Sequence, residues 1–314
     1  MESRRGGSDV VRNAWTGVTQ ALFIDALSAD ALILLDGANG TEIERRIGPL
    51  AAPLWTAAAL VEAPDVIQQV HRDYVRSGAR ILTANTFRTH ARNLKHTPLA
   101  GESDRLTKLA VSLAREAANG HAWVAGSLAP MKDCYRSDLF PELSEFDKEH
   151  REQAARLATA GVDLILAETH GNQREALAAC RAGIDTGLPT VVSLLCRDAN
   201  HLWSGESLAD TVVRLAPLQP AAIGVNCVAA YQVSKVLQSI HTAAPDIRLI
   251  AYGNTSEVDA QGKWHPTDAV APDRYADHVA GWLAIGCHLV GGCCGTTPEH
   301  IAKLNQRFHF NDQE

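Results

Sequence analysis

Runs of apolar residues recur along the chain and each stops at a polar or glycine-containing corner: 31–36, 80–87, 122–130, 162–169, 190–196, 222–227, 247–254 and 287–294. Unbroken runs, as opposed to alternating ones, mark strands buried on both faces, as parallel strands are. Between these runs the apolar positions return with helical spacing. The stretch 64–77 sets Val66, Val70 and Tyr74 on one stripe and stops at Gly78, 103–119 stops at Gly120, and 147–160 stops at Gly161. At 172–181 an Asn172–Glu175 capping pair opens a helix, and further helices are expected at 207–216, 229–242 and 273–285. Thr297 caps a last helix with Pro298 at its first position. A helix at 13–27, apolar at Trp15, Val18, Leu22 and Leu27, would close the bottom of a barrel, and the polar residues 1–12 read as frayed.

Eight buried strands, each followed by a helix, is the order of a (β/α)8 TIM barrel. The alternative, an open doubly wound sheet, normally carries a glycine-rich phosphate turn after its first strand, and Asp36-Gly-Ala-Asn-Gly-Thr is not that turn. No composition shift or Pro/Ser-rich linker divides the chain, so residues 1–314 are expected to form one domain. Two βα connections, 127–146 and 253–272, are long, and such loops in a compact barrel are usually functional.

At 314 residues, 46% hydrophobic and 21% charged, the chain can bury a large core. A net charge of −7 without a basic stripe argues against nucleic acid. The apolar runs are too short to span a bilayer and no apolar signal core follows Arg4 and Arg5, so a cytoplasmic protein is expected. Seven cysteines, an odd number, do not make a disulfide framework, and a reducing compartment suits thiolates kept for metal.

Barrel enzymes carry their chemistry at the C-terminal ends of the strands. Those ends hold Asp36, Asn85-Thr86-Phe87, Glu168, Cys196, Asn226-Cys227, Tyr252, Asn254 and Cys293-Cys294. Neighbouring residues of a regular strand face opposite ways, so two adjacent cysteines can aim at one point only if the backbone turns, which Gly291, Gly292 and Gly295 permit. Vicinal cysteines make a poor disulfide. They are either an inert buried pair or two thiolates for a metal such as zinc. With Cys227 they would supply three ligands and leave one position open, the arrangement of a catalytic zinc site; no CxxC or HxH motif supplies a fourth. Asp36 either caps its turn or touches a ligand. Glu168 ends an apolar strand, where an unpaired carboxylate is costly, so a cationic partner is expected. Asn85 and Asn254 either satisfy loop backbone or contact substrate. Cys134, Cys180, Cys196 and Cys287 read as structural, and His170, His201 and His265 are assigned no role.

The stretches Asp36-Gly-Ala-Asn-Gly-Thr-Glu42, Asn85-Thr-Phe87, Gly224-Val-Asn-Cys227 and Gly291-Gly-Cys-Cys-Gly-Thr-Thr-Pro-Glu-His-Ile301 resemble the signatures of the homocysteine S-methyltransferase family, over residues 30 to 305. The resemblance implies a barrel with Zn2+ on Cys227, Cys293 and Cys294, homocysteine sulfur in the open position, and Asp36 and Glu168 gripping the amino acid's ammonium group. The substrate-facing set is then Asp36, Gly37, Asn85, Glu168, Asn226 and Asn254. A free thiol, with a pKa of roughly 8.5, is only slightly ionised at pH 7. Zinc deprotonates it and fixes it for in-line attack on a methyl group. Three thiolates on Zn(II) keep the bound sulfur electron-rich, so the donor must carry a good leaving group, a sulfonium or quaternary ammonium. An acidic mouth with Trp, Tyr or Phe in its lids suits such cations. The expected donor is S-methylmethionine. Betaine stands second, because the chain lacks the C-terminal extension of betaine-using members, and there is no room for cobalamin or folate modules. Another thiol or selenol acceptor, a non-catalytic zinc- or thiol-binding barrel and a barrel with merely buried cysteines are the alternatives. At the seventh strand the family's Tyr-Pro-Asn-Ser-Gly reads Tyr252-Gly-Asn-Thr-Ser256, and losing the proline is expected to loosen that loop and to bear on donor specificity.

Overall fold

The computed structural model describes residues 20–29, 31–136, 143–259 and 261–310. The expected frayed segment 1–12 and the first part of the 13–27 helix lie outside them. Eight strands pair in parallel: β1 (Ile33–Leu34), β2 (Ile81–Ala84), β3 (Trp123–Leu128), β4 (Leu164–His170), β5 (Thr190–Leu194), β6 (Ala222–Ala229), β7 (Leu249–Asn254) and, after a short hairpin of β8 (Ser256–Val258) and β9 (Trp264–Pro266), β10 (Cys287–Gly292). Their order is β1-β10-β7-β6-β5-β4-β3-β2. A parallel bridge between Leu35 and Ile81 joins the two ends of that order, with Arg80 N–H donating to Leu34 O at 2.7 Å and Asp36 N–H to Ile81 O at 2.9 Å. The result is the (β/α)8 TIM barrel.

The apolar runs are unbroken because successive residues serve two cores. Ile33, Leu35, Ile81 and Leu289 point into the barrel, while Leu34, Leu82 and Val290 pack under the helices. Each such fully buried side chain contributes about 1.5–3 kcal/mol. The helix Gln20–Ser28 sends Phe23 and Leu27 into the barrel's lower end, and the Phe23 ring meets Trp123, the first residue of β3, edge-on at 5.5 Å. It closes the bottom as expected. No helix among the described residues is long and apolar enough to cross a membrane.

The Asn172–Glu175 pair forms only half of a capping box. Asn172 Oδ1 accepts from Glu175 N–H at 3.1 Å, but the Glu175 carboxylate turns away to accept from Met131 N–H at 2.7 Å and to meet His150 Nε2 at 3.2 Å. Beside it His170 Nε2 lies 3.0 Å from Leu128 O. These buried contacts tie the start of the long 127–146 connection to the barrel rim. The second long connection is not an open loop: β8 and β9 pair antiparallel within it, Glu257 opposite His265.

Candidate active site

The strand ends that carry the candidate residues depart from regular pairing. The β4–β5 register breaks between Ala167 and His170, and the β6–β7 register between Asn226 and Ala229. At these breaks Thr169 (φ 66°) and Cys227 (φ 57°) take left-handed backbone, which costs a residue with a Cβ and is held only by its surroundings. Asn226 is the main holder. Its Oδ1 accepts from Thr169 N–H at 3.0 Å and Ser193 Oγ at 2.8 Å, and its Nδ2 donates to Thr169 Oγ1 at 2.9 Å. The Cys227 carbonyl accepts from Asn254 Nδ2 at 2.9 Å and from the Tyr135 hydroxyl at 3.3 Å.

At the end of β10 the glycines act differently from expectation. Only Gly295 has left-handed backbone, φ 84°. Gly291 and Gly292 are required by close approach: a Cβ on Gly291 would lie 2.6 Å from Leu35 Cβ, and one on Gly292 would lie 2.2 Å from Thr296 Oγ1. That Thr296 hydroxyl donates to Cys293 O at 2.8 Å and accepts from Ala38 N–H at 3.1 Å, so it joins the cysteine corner to the Asp36–Asn39 turn. Gly253 is not looser for want of a proline. Its N–H, which proline lacks, donates to the buried Tyr275 hydroxyl at 3.1 Å, and its carbonyl accepts from Cys293 N–H at 2.9 Å.

These supports bring three sulfurs together. Cys227, Cys293 and Cys294, all half-buried, place their Sγ atoms within 4.8 Å of one another, with Cys227 and Cys293 2.9 Å apart. Hydrogen bonds from Cys227 and Cys293 hold the Cys294 thiol well below its ordinary pKa, while bonds to Cys293 and Cys294, together with burial, push Cys227 well above. Three converging sulfur atoms are a donor set that can hold a soft metal ion. Among the described residues one other group, His150, His170 and Glu175, converges similarly, but it is fully buried behind Leu128–Met131.

Two buried carboxyls face the same space. Burial pushes Asp36 up to about 7 against hydrogen bonds from Thr83 N–H (2.8 Å), Thr83 Oγ1 (2.9 Å) and Asn39 Nδ2 (3.3 Å), and the Glu168 charge pushes the same way. Burial likewise pushes Glu168 up to about 7, against bonds from Ser127 Oγ and the Tyr252 hydroxyl, and the Cys294 charge adds to the rise. Neither carboxyl has a cationic partner among the hydrogen bonds it makes.

A cavity of about 620 Å³ opens over this floor. Asp36, Gly37, Asn85, Glu168, Asn226, Cys227, Cys293 and Cys294 all line it. Asn85 Nδ2 donates to Thr56 O at 3.0 Å, and the Asn226 amide faces Thr169 and Ser193. Asn254 lies behind the wall and reaches the site only through the Cys227 carbonyl. Cys180, Cys196 and Cys287 are buried away from the cavity, whereas Cys134 lines it, its thiol pushed up to about 12 by burial. Sequence reasoning missed Thr83 and Ser127, whose hydroxyls orient the two carboxyls, and Arg88, which lines the cavity with Trp55, Phe87, Tyr135 and Trp264. The long connections hinted at the aromatic residues; nothing local marked Thr83 or Ser127.

A family model for homocysteine S-methyltransferase matches residues 33–308. The chain is 37% identical to a homocysteine S-methyltransferase of Escherichia coli, over 90% of this chain and 96% of that protein. The chain belongs to the homocysteine S-methyltransferase family. A second member of it, homocysteine S-methyltransferase YbgG of Bacillus subtilis, is 30% identical over 87% of this chain and 93% of its own. The crystal structure of the E. coli homocysteine methyltransferase MmuM in its metallated form superposes with a TM-score of 0.79 at 32% identity, covering 90% of this chain and 98% of that one. The protein is an enzyme of this family, and the reaction its relatives support is methyl transfer to homocysteine.

Proposed function

We propose that the enzyme transfers a methyl group from a sulfonium donor, S-methylmethionine, to the sulfur of L-homocysteine, with Zn2+ held by Cys227, Cys293 and Cys294. The observation that carries this reading is the convergence of three thiols within 4.8 Å at the floor of a cavity whose other buried charges are two carboxyls. The donor set is three soft sulfur ligands and leaves room for a fourth ligand, which fits zinc. Bound there, zinc would keep the acceptor sulfur ionised at neutral pH.

The chain's own residues do the positioning. Asp36 and Glu168, ionised once a cation arrives, hold the homocysteine ammonium group, and Thr83, Ser127 and Tyr252 fix their orientation. Asn226, Asn254 and Thr296 hold the cysteine-bearing backbone, so the acceptor sulfur has one place to sit. Trp55, Phe87, Tyr135 and Trp264 wall the cavity, exclude water and present π-faces to a methylated cation. Thiolate and sulfonium become two neutral thioethers, and both products are methionine. The thiols would be kept reduced in the cytoplasm. The reading takes residues 1–314 as one homocysteine-binding barrel domain acting on small molecules, with neither nucleic acid nor membrane as partner.

The test is methionine formation by reduced, zinc-loaded protein offered homocysteine with S-methylmethionine or betaine in parallel. Product from S-methylmethionine supports the reading, product from betaine alone overturns the donor, and bound zinc without product from either favours a non-catalytic thiol-binding barrel.

A further inference from the structure

Arg88 is the only Lys or Arg among the described residues lining the cavity, whose ionisable side chains are otherwise Asp36, Glu44, Asp133, Glu168, tyrosine and cysteine. It follows Asn85-Thr86-Phe87 at the end of β2, and its guanidinium lies 5.3 Å from the centroid of the Phe87 ring. Its Nε is buried without a hydrogen-bond partner, and among the described residues the Arg88 side chain makes no hydrogen bond or ion pair; only its backbone carbonyl is engaged, accepting from Asn93 Nδ2 at 2.9 Å. A buried guanidinium donor left unpaired in an acidic cavity is costly unless a ligand anion meets it.

Its place argues for which anion. The Arg88 charge is felt by the Cys134 thiol, on the segment that forms the outer wall. Arg88 stands four residues beyond the last residue of β2, whereas Asp36, Glu168, Cys227, Cys293 and Cys294 stand within two residues of the ends of their strands. Homocysteine carries its carboxylate on the same carbon as the ammonium that Asp36 and Glu168 receive, so that carboxylate stays on the floor. A donor must place its methyl group at the acceptor sulfur and extend outward. In S-methylmethionine the carboxylate lies at the far end of a short carbon chain from the sulfonium, whereas in betaine a single methylene separates the two charges.

We propose that Arg88 forms an outer subsite for the α-carboxylate of an amino-acid sulfonium donor and thereby selects donors whose carboxylate is held at a distance from the reacting centre. The proposal rests on the methyl-transfer reading above and names the part of the site that reads the donor. The planar guanidinium, stacked beside Phe87, presents a fork that matches a carboxylate. Glu44 and Asp133, which also line the cavity, offer carboxylates to the donor's ammonium.

The experiment compares wild type, Arg88→Gln and Arg88→Lys, all zinc-loaded, with S-methylmethionine and with its carboxamide, in which the carboxylate is gone. Wild type is expected to prefer the acid by about 10- to 100-fold in donor kcat/KM. R88Q should erase that preference by raising the KM for S-methylmethionine, with the homocysteine KM and zinc content unmoved. R88K, a point charge without the fork, should fall between. An acid-to-amide preference that survives R88Q overturns the proposal, and so does a rise in the homocysteine KM instead of the donor KM. If wild type makes no methionine from S-methylmethionine, the donor reading has failed, and calorimetric binding of S-methylmethionine to wild type and R88Q decides the subsite: equal affinities, or no binding to wild type, overturn it.

Discussion

The Asn226 amide grips Thr169 at both ends, accepting from its N–H at 3.0 Å and donating to its hydroxyl at 2.9 Å, and so locks the residue after Glu168 to the residue before Cys227. Two left-handed residues on separate strands are thereby held by one side chain. Asn226→Ala removes these bonds and one from Ser193, all buried. The expected loss is about 2–4 kcal/mol of stability. Zinc affinity should fall by about 10- to 100-fold, as when a group that orients metal ligands is removed. Chemical denaturation and competition with a chelator read the two effects separately.

Each of Cys227→Ser, Cys293→Ser and Cys294→Ser should abolish stoichiometric zinc and methionine formation while leaving the far-ultraviolet circular dichroism unchanged. Sγ replaced by Oγ keeps the shape but removes a soft ligand. Cys196→Ser, away from the cavity, should retain both zinc and turnover. Metal analysis of the four proteins, prepared alike, checks the contrast.

Asp36 and Glu168 are pushed up to about 7 by burial, so below that pH they hold protons that a bound ammonium group would have to displace. The affinity for methionine, which shares the ammonium end of homocysteine but has no ionisable sulfur, should therefore fall as pH drops. Between pH 7 and 6 the ionised fraction of one such group falls about fivefold. The same shifts oppose stability in the ligand-free protein as pH rises: the folded state keeps two protons that the unfolded chain has already released, and loses that advantage as pH climbs from about 4 to about 7. Calorimetric titration of methionine from pH 5.5 to 8 tests the first, and Glu168→Gln should flatten the profile.

Two glycine substitutions should part stability from site geometry. A Cβ on Gly224 would lie 1.7 Å from the backbone oxygen of Ile250, inside the β6–β7 pairing, and nothing flexible can yield. Gly224→Ala should cost more than about 3 kcal/mol or prevent folding. On Gly292 the obstacle is the Thr296 side chain, so Gly292→Ala should fold but displace the hydroxyl that holds Cys293 O and Ala38 N. Reduced melting temperature with zinc retained in G292A would contradict this reading.

The barrel was legible because burial on both faces writes itself as unbroken apolar runs, and Leu34 and Leu35 show the two cores taking alternate residues. The cavity floor was legible for a related reason: polar residues that end such runs have nowhere to go but the mouth. What the pattern hides is irregular backbone. Left-handed Thr169 and Cys227 arise from register breaks that no residue type announces, so Asn226 read as a substrate contact although its amide faces Thr169 and Ser193. Gly253 read as slack because a missing proline says nothing about the Tyr275 hydroxyl that uses the freed N–H. Arg88 passed unnoticed because isolation from partners is a property of three dimensions.

Cys293 and Cys294 stand at the end of β10, the strand that seals the ring between β1 and β7. Cys227 is in place on β6, two barrel strands earlier, but its two companions come with the last strand of the barrel to be synthesised. An incomplete chain therefore carries one lone thiol where the finished one carries a claw, and it cannot capture the ion in this manner. With the proposed ligand set, metal uptake would be a late checkpoint on assembly, and a chelator that stripped the ion would test the seam of the ring as well as the chemistry of its ligands.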